Sequence, residues 1–156
     1  MKKLLFVCSG NTCRSPLAEG IAKKIFPNSL SDQIEISSAG SSALEGLPAS
    51  ALAIRVAENN GIDLTGHITR LLNRSLVKEA DLIVVMSSKH KETIRVIEPS
   101  ALEYTFLLSE FCDGIDGDIA DPIGGNFEGY ERTFELINNC LSQMKDRLKT
   151  FDGWAK

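Results

Sequence analysis

The chain has 156 residues, 43% of them apolar, with 17 Lys and Arg against 21 Asp and Glu and a formal net charge of -4. That length and apolar share build one core and argue against a second domain, and the acidic balance leaves no basic field to neutralise a nucleic-acid backbone. Apolar runs such as residues 4–7 and 82–86 fall far short of the roughly 18 residues that cross a bilayer. No signal-peptide pattern opens the chain, so a soluble cytoplasmic protein is expected.

Residues 4–7, Leu-Leu-Phe-Val, form a continuous apolar run, the mark of a strand covered on both faces. After a short loop, Leu17, Ile21 and Ile25 recur at fourfold spacing and predict a helix. Ile34 and Ile36 suggest a shorter strand, and Leu52 and Val56 a helix stopped by Gly61. Residues 82–86 read as a second buried strand, 88–97 as a helix and 104–108 as a further strand. Phe134, Ile137, Leu141, Met144 and Leu148 then trace the buried stripe of a last helix. The alternation predicts an α/β fold, a single-domain doubly wound four-stranded parallel sheet with helices on both faces. Ligands of such sheets sit beyond the carboxyl ends of the strands, which points to the segment after Val7.

That segment runs Cys8-Ser9-Gly10-Asn11-Thr12-Cys13-Arg14-Ser15-Pro16. Pro16 suits the first position of a helix and Ser15 the cap before it, so the loop empties into a helix N-terminus, where unpaired N–H groups favour an anion. Gly10 and Asn11 are the residues most able to take the left-handed conformations of a curled anion nest. The Gly-Lys-Ser/Thr of a nucleotide loop and the G-x-G-x-x-G of a dinucleotide turn are both missing. A thiol at such a helix mouth, with the Arg14 guanidinium beside it, is favoured as the nucleophilic thiolate. Arg14 can return over the same centre and grip two phosphoryl oxygens in its planar fork.

A thiolate that accepts a phosphoryl group needs an acid to protonate the leaving group. The candidate is Asp121, in Ala120-Asp121-Pro122-Ile123-Gly124-Gly125, with Asp113, Asp116 and Asp118 close enough in the chain that spacing alone does not choose among them. The other cysteines stand at 13, 112 and 140 with no disulfide framework in their spacing, and reduced thiols are expected. No pair of cysteines has zinc-knuckle spacing, and His67 and His90 lack ligand-spaced neighbours. No metal and no cofactor is expected.

With these residues in view, the sequence resembles the low-molecular-weight protein tyrosine phosphatases, including their bacterial branch that acts on phosphoarginine. The resemblance rests on Val7-Cys8, Arg14-Ser15-Pro16, Ser37-Ser38-Ala39-Gly40, Asp63-x-Thr65-x-His67-x-x-Arg70 and Asp121-Pro122, and runs almost the whole chain, implying one phosphatase domain over residues 1–156. It implies that Cys8 is the nucleophile, Arg14 the phosphoryl-binding residue and Asp121 the acid and then the base. Ser9, Gly10, Asn11, Thr12, Cys13 and Ser15 would line the phosphate site, with Ser15 bonded to the thiolate. Asn11, Ser38 and His67 would hold the loop in shape, His67 by ordering it rather than by moving a proton. The partners it implies are phosphorylated proteins, met by a monomer, without nucleic acid or membrane.

Two places bear on the substrate. Tyrosine-directed members resembling this chain usually carry an aliphatic residue at the position of Thr12 and aromatic residues directly after Asp-Pro. Here Thr12 adds a hydroxyl and narrows the wall, and Ile123-Gly124-Gly125 offers no ring to stack on a phenol. Phosphoarginine is therefore preferred over phosphotyrosine, with Phe127 or Tyr130 as alternative aromatic platforms that would favour the latter.

Arsenate reductases share this loop but relay oxidation to cysteines placed after the third strand, where the chain has Ser87-Ser88-Lys89-His90-Lys91. A phosphocysteine carrier would need no general acid, which Asp121 argues against. Cys13 is either the partner of Cys8 in a protective disulfide or a small buried hydrophobe. Trp154 is either a loose end or an anchor.

Overall fold

The computed structural model describes residues 1–154. Four strands, β1 (Lys2–Cys8), β2 (Ile34–Gly40), β3 (Leu82–Val85) and β4 (Thr105–Leu107), form one sheet in the order β2-β1-β3-β4. All three pairings are parallel, with Cys8 opposite Gly40 and Val7 opposite Val85. The chain steps outward from β1 first to one side and then to the other, so the ends of β1 and β3 flank the point where the winding reverses.

Successive side chains of a strand point to opposite faces, and the buried strands divide their apolar residues accordingly. Leu4, Phe6 and Cys8 join Leu82 and Val84 in one core, while Leu5 and Val7 join Ile83 and Val85 in the other. Helices α1 (Arg14–Ile25), α3 (Ala51–Asn59) and α6 (Phe127–Arg147) close the first core. Helices α4 (Arg74–Glu79) and α5 (Ser88–Ile97) close the second, and a single turn, α2 (Asn28–Ser31), leads into β2. The doubly wound four-stranded sheet with helices on both faces is thus the architecture observed.

The stripe expected in the last helix is buried through Phe134, Ile137, Leu141, Met144 and Leu148, each contributing about 1.5–3 kcal/mol by leaving water. The tail resolves the alternative at Trp154 in favour of an anchor. Its ring meets Phe151 edge-on at 6.4 Å and lies 5.7 Å from the Lys2 ammonium, and Phe151 in turn packs on Phe106 and Phe111.

Several boundaries depart from expectation. The strand expected over 104–108 is only Thr105–Leu107, because 3-10 turns at Pro99–Tyr104 and Leu108–Phe111 take up both ends. Helix α1 begins at Arg14 with Cys13 as its N-cap residue, so Ser15 is not the cap and Pro16 is the third helical residue. A proline is tolerated there because the N–H it lacks would have no intrahelical acceptor. The six-residue α4, capped by the Asn73 side chain on the Leu76 N–H at 2.9 Å, shows only Val77 buried and so no periodicity to detect.

Candidate active site

The loop between β1 and α1 is held from outside by its carbonyls. The Cys8 carbonyl accepts from the Ser41 N–H at 2.9 Å and the Ser9 carbonyl from Ser42 at 3.0 Å. The Thr12 carbonyl accepts from Ser50 at 2.9 Å, and the Asn11 carbonyl from His67 Nε2 at 2.7 Å. Across a trans peptide the C=O and the following N–H point opposite ways. Carbonyls turned outward therefore turn the N–H groups of Ser9, Gly10, Thr12 and Cys13 into the concavity that the N-terminus of α1 closes. That is an anion nest built on a helix end.

Asn11 carries the curl. It is fully buried, takes the left-handed conformation at φ 57°, and is fixed by its own side chain. Its Nδ2 donates to Ser15 Oγ at 2.8 Å and to Ser38 Oγ at 3.0 Å, and its Oδ1 accepts the Arg70 N–H at 2.9 Å. Gly10, also expected to be left-handed, is not; a Cβ there would meet only Thr12 Oγ1, at 3.4 Å. Gly40 matters instead, because its backbone lies against the loop: a Cβ would stand 2.5 Å from the Ser9 carbonyl oxygen and 2.8 Å from the Asn11 nitrogen.

Ser38 and His67 both serve this scaffold. Ser38 Oγ donates to Glu19 Oε2 at 3.3 Å, the same oxygen that lies 3.8 Å from His67 Nδ1. Since Nε2 of His67 faces a carbonyl, it must be a donor. Asp63 accepts the Thr65 N–H at 2.9 Å and shapes the turn that leads to His67. Glu19, which ties Ser38 to His67, went unnoticed in the sequence, where it is one acidic residue on an amphipathic helix.

Inside the loop, Cys8 Sγ lies 2.9 Å from Ser15 Oγ. The Arg14 guanidinium, 2% exposed, is spread over four acceptors. Nη1 donates to Ser87 Oγ at 3.1 Å and to the Ile119 carbonyl at 2.9 Å, while Nη2 donates to Ser9 Oγ and to Asp121 Oδ2, both at 3.3 Å. Of the four neighbouring acids, Asp121 alone reaches Arg14. Asp113 pairs with Arg147 at 2.8 Å and Asp118 accepts the Ser88 N–H at 2.7 Å, so both are occupied elsewhere. Asp121 is placed by the Ile119 N–H on the Met86 carbonyl at 2.7 Å and by the Ile123 N–H on its own Oδ1 at 3.1 Å. The thiol and guanidinium of one loop and a carboxylate from 107 positions further along the chain thus come together at the carboxyl end of β1.

Residues 3–151 match the family described as low molecular weight phosphotyrosine protein phosphatase. The chain belongs to this family. It is a phosphatase, with phosphorylated proteins as the family's substrates. A protein-arginine-phosphatase of Geobacillus stearothermophilus is 36% identical over 148 residues, covering 95% of this chain and 97% of its own length. A putative low molecular weight protein-tyrosine-phosphatase of Klebsiella pneumoniae is 37% identical over 146 residues, covering 94% and 96%. The solved structure of the YwlE arginine phosphatase from Geobacillus stearothermophilus superposes with a TM-score of 0.87 at 36% identity, covering 96% of this chain and 94% of that one.

A further buried group that sequence reasoning left aside lies beside this candidate site of the phosphatase. His90, fully buried, accepts the Ser87 N–H on Nδ1 at 3.0 Å and lies 2.9 Å from Ser9 Oγ through Nε2. Burial, then the Arg14 guanidinium and Lys89, lower its imidazole to about 4 against the partial opposition of Asp118 and Asp121. The available signal was Ser87-x-x-His90 at a helix start, the spacing of a capping box with histidine at its third position.

The remaining cysteines are free thiols. Cys13 is 3.3 Å from both Ser50 Oγ and the Tyr130 hydroxyl. Burial and the Cys13 contact push the Tyr130 phenol up to about 12. Cys112 packs against α6, accepting from Gln143 Nε2 at 3.3 Å, away from the loop that holds Cys8. Of the two aromatic alternatives, Tyr130 is 3% exposed and so offers no open platform, whereas Phe127 is half-buried with the Arg55 guanidinium 4.2 Å from its ring.

Proposed function

We propose that this phosphatase works in two steps through a phosphocysteine on Cys8 and that its substrate is phosphoarginine in proteins. The observation that supports the mechanism best is the convergence of Cys8, Arg14 and Asp121 on one amide-lined concavity. The Cys8 thiolate, bonded by Ser15, attacks phosphorus in line. The P–N bond breaks as Asp121 gives its proton to the departing guanidine nitrogen. The inward amides of the loop and Arg14, whose Nη2 exchanges the Asp121 carboxylate for a phosphoryl oxygen, take the three equatorial oxygens, where charge accumulates in the transition state. Asp121, now a carboxylate, removes a proton from water, whose oxygen attacks phosphorus and returns sulfur as thiolate. Asn11, Ser38 and His67 keep the cradle shaped throughout.

The preference for arginine is supported by Thr12, half-buried at the loop's edge with its hydroxyl 3.7 Å from Cys13 Sγ, and by the acid loop. Ile123, 61% exposed, and the left-handed Gly124 follow Asp121-Pro122 with no ring to sandwich a phenol. The reading of phosphotyrosine as substrate rests on the Klebsiella pneumoniae relative. Catalytic efficiencies on phosphoarginine and phosphotyrosine peptides of one sequence separate the two: a higher value on phosphoarginine is expected, and a higher value on phosphotyrosine reverses the assignment. Cys8→Ser abolishes turnover while retaining phosphate binding; retained turnover sinks the nucleophile.

A further inference from the structure

We infer that His90 is a positioning residue for the phosphoryl-binding arginine, a single imidazole that ties together Ser87 and Ser9, the two serines whose hydroxyls hold opposite nitrogens of the Arg14 guanidinium. The inference deepens the phosphatase reading above and rests on it for the role of Arg14. Ser87 Oγ receives Nη1 and Ser9 Oγ receives Nη2, at 3.1 and 3.3 Å. His90 touches both of these residues, at the Ser87 backbone nitrogen and at the Ser9 hydroxyl.

The direction of each bond follows from the chemistry of its partners. A backbone N–H only donates, so Nδ1 of His90 must accept and its ring proton must sit on Nε2. Nε2–H then donates to Ser9 Oγ. A hydroxyl oxygen has two lone pairs, and here one takes the imidazole proton and the other the guanidinium. Ser9 is thereby held as a double acceptor, with its oxygen fixed toward Arg14. The reversed tautomer would oppose two protons at Ser87 and leave the Ser9 hydroxyl to donate to Nε2. His90 is buried beside a guanidinium and close to Lys89, with Asp118 and Asp121 on the facing loop, and it stays neutral in neutral solution.

Glutamine is the conservative replacement, since its amide oxygen can accept the Ser87 N–H while its nitrogen donates to Ser9. His90→Leu supplies neither bond. The experiment is a double-mutant cycle of His90→Leu with Ser9→Ala, with His90→Gln as the rescue. It is read by turnover of phosphorylated peptide and by calorimetric affinity for inorganic phosphate. His90→Leu and Ser9→Ala should each weaken phosphate binding about tenfold, the worth of one net hydrogen bond. The double variant should bind no worse than the weaker single, and His90→Gln should stay within about twofold of the parent. Additive losses would mean that His90 serves only to cap α5, and overturn the inference. Should His90→Leu fail to fold, 15N spectra of histidine-labelled parent and Ser9→Ala proteins decide: an Nε2 proton whose resonance shifts when Ser9 is replaced and when phosphate is bound supports the assignment, and one that responds to neither, or a proton on Nδ1, overturns it. A parent protein that shows the coupling and the tautomer but hydrolyses no phosphorylated peptide would remove the phosphatase reading and leave this one standing.

Discussion

The Ser15 hydroxyl lies 2.9 Å from the Cys8 sulfur and also receives the Asn11 side-chain amide at 2.8 Å. With Asn11 donating to its oxygen, the hydroxyl has its own proton to give, with the Cys8 sulfur at 2.9 Å nearer than its other acceptor, the Ala39 carbonyl at 3.4 Å, and a donor to a charged acceptor is worth roughly 1.5–3 kcal/mol. On the proposed two-step mechanism the same donor eases departure of the thiolate when the phosphocysteine is hydrolysed. Ser15→Ala should therefore lower kcat about tenfold to a hundredfold and slow alkylation of Cys8 by iodoacetamide near neutrality. Unchanged alkylation together with unchanged kcat would show that the hydroxyl serves only Asn11 and the Ala39 carbonyl.

Asp121 is held by Arg14 at 3.3 Å and by the Ile123 N–H, two contacts that a structural carboxylate would also make. The leaving group distinguishes the roles. Asp121→Ala should cut turnover of phosphorylated peptides by about 10²- to 10⁴-fold, the usual effect of a positioned acid. For an aryl phosphate whose leaving group departs unprotonated, the loss in the first step should be much smaller. Equal losses across leaving groups, measured as kcat/KM, would assign Asp121 to loop structure alone.

Gly40 supports the cradle from β2 without touching substrate. The neighbours its Cβ would meet are the Ser9 carbonyl oxygen and the Asn11 nitrogen, both backbone, together with Ala43 Cβ at 2.8 Å. None can move without reshaping the loop. Gly40→Ala should cost about 1–3 kcal/mol of stability by overpacking, measured by denaturant titration, and reduce phosphate affinity in the protein that remains folded. Native phosphate affinity in the variant would show that the loop tolerates the displacement.

Thr12 is the wall position with the clearest chemical difference between an aliphatic and a hydroxyl side chain. Thr12→Ile should shift the ratio of kcat/KM for phosphoarginine over phosphotyrosine downward by about tenfold or more, in keeping with the discrimination one side-chain group provides. An unchanged ratio would place selectivity in the Ile123-Gly124-Gly125 loop.

Much of this was legible in the sequence because its signals are local. Residues 4–7 and 82–86 are apolar without interruption, and the loop from Cys8 to Pro16 joins a strand end to a helix start, so the candidate nucleophile, the arginine and the helix mouth could be read from adjacent positions. What escaped was contact across the chain. Ser9 and His90 are 81 positions apart, and the Arg70 N–H reaches Asn11 over 59. The choice of Asp121 among its neighbours likewise depended on which carboxylate faces Arg14, a matter of how the loop is pinned at Ile119. The cap of α1 departs from expectation for a related reason: Ser15 has the right chemistry for a cap, but its hydroxyl is taken up by Cys8, Asn11 and the Ala39 carbonyl.

His90 also carries a pH dependence whose sign follows from its burial. Its imidazole is lowered from 6.5 to about 4 in the folded chain, chiefly by desolvation and then by Arg14 and Lys89, with Asp118 and Asp121 opposing. Between those values the unfolded chain binds a proton that the folded chain does not, so stability rises with pH across the window. The contribution is fully present above about 6.5 and is lost as the solution is acidified toward 4. Between pH 7 and pH 5 it amounts to about 2 kcal/mol. His90→Gln has nothing to titrate there, so its unfolding free energy should fall less than that of the parent over the same interval, by about this amount. Equal slopes for the two proteins in urea titrations at the two pH values would mean that His90 takes up its proton in the folded state as readily as in the unfolded one.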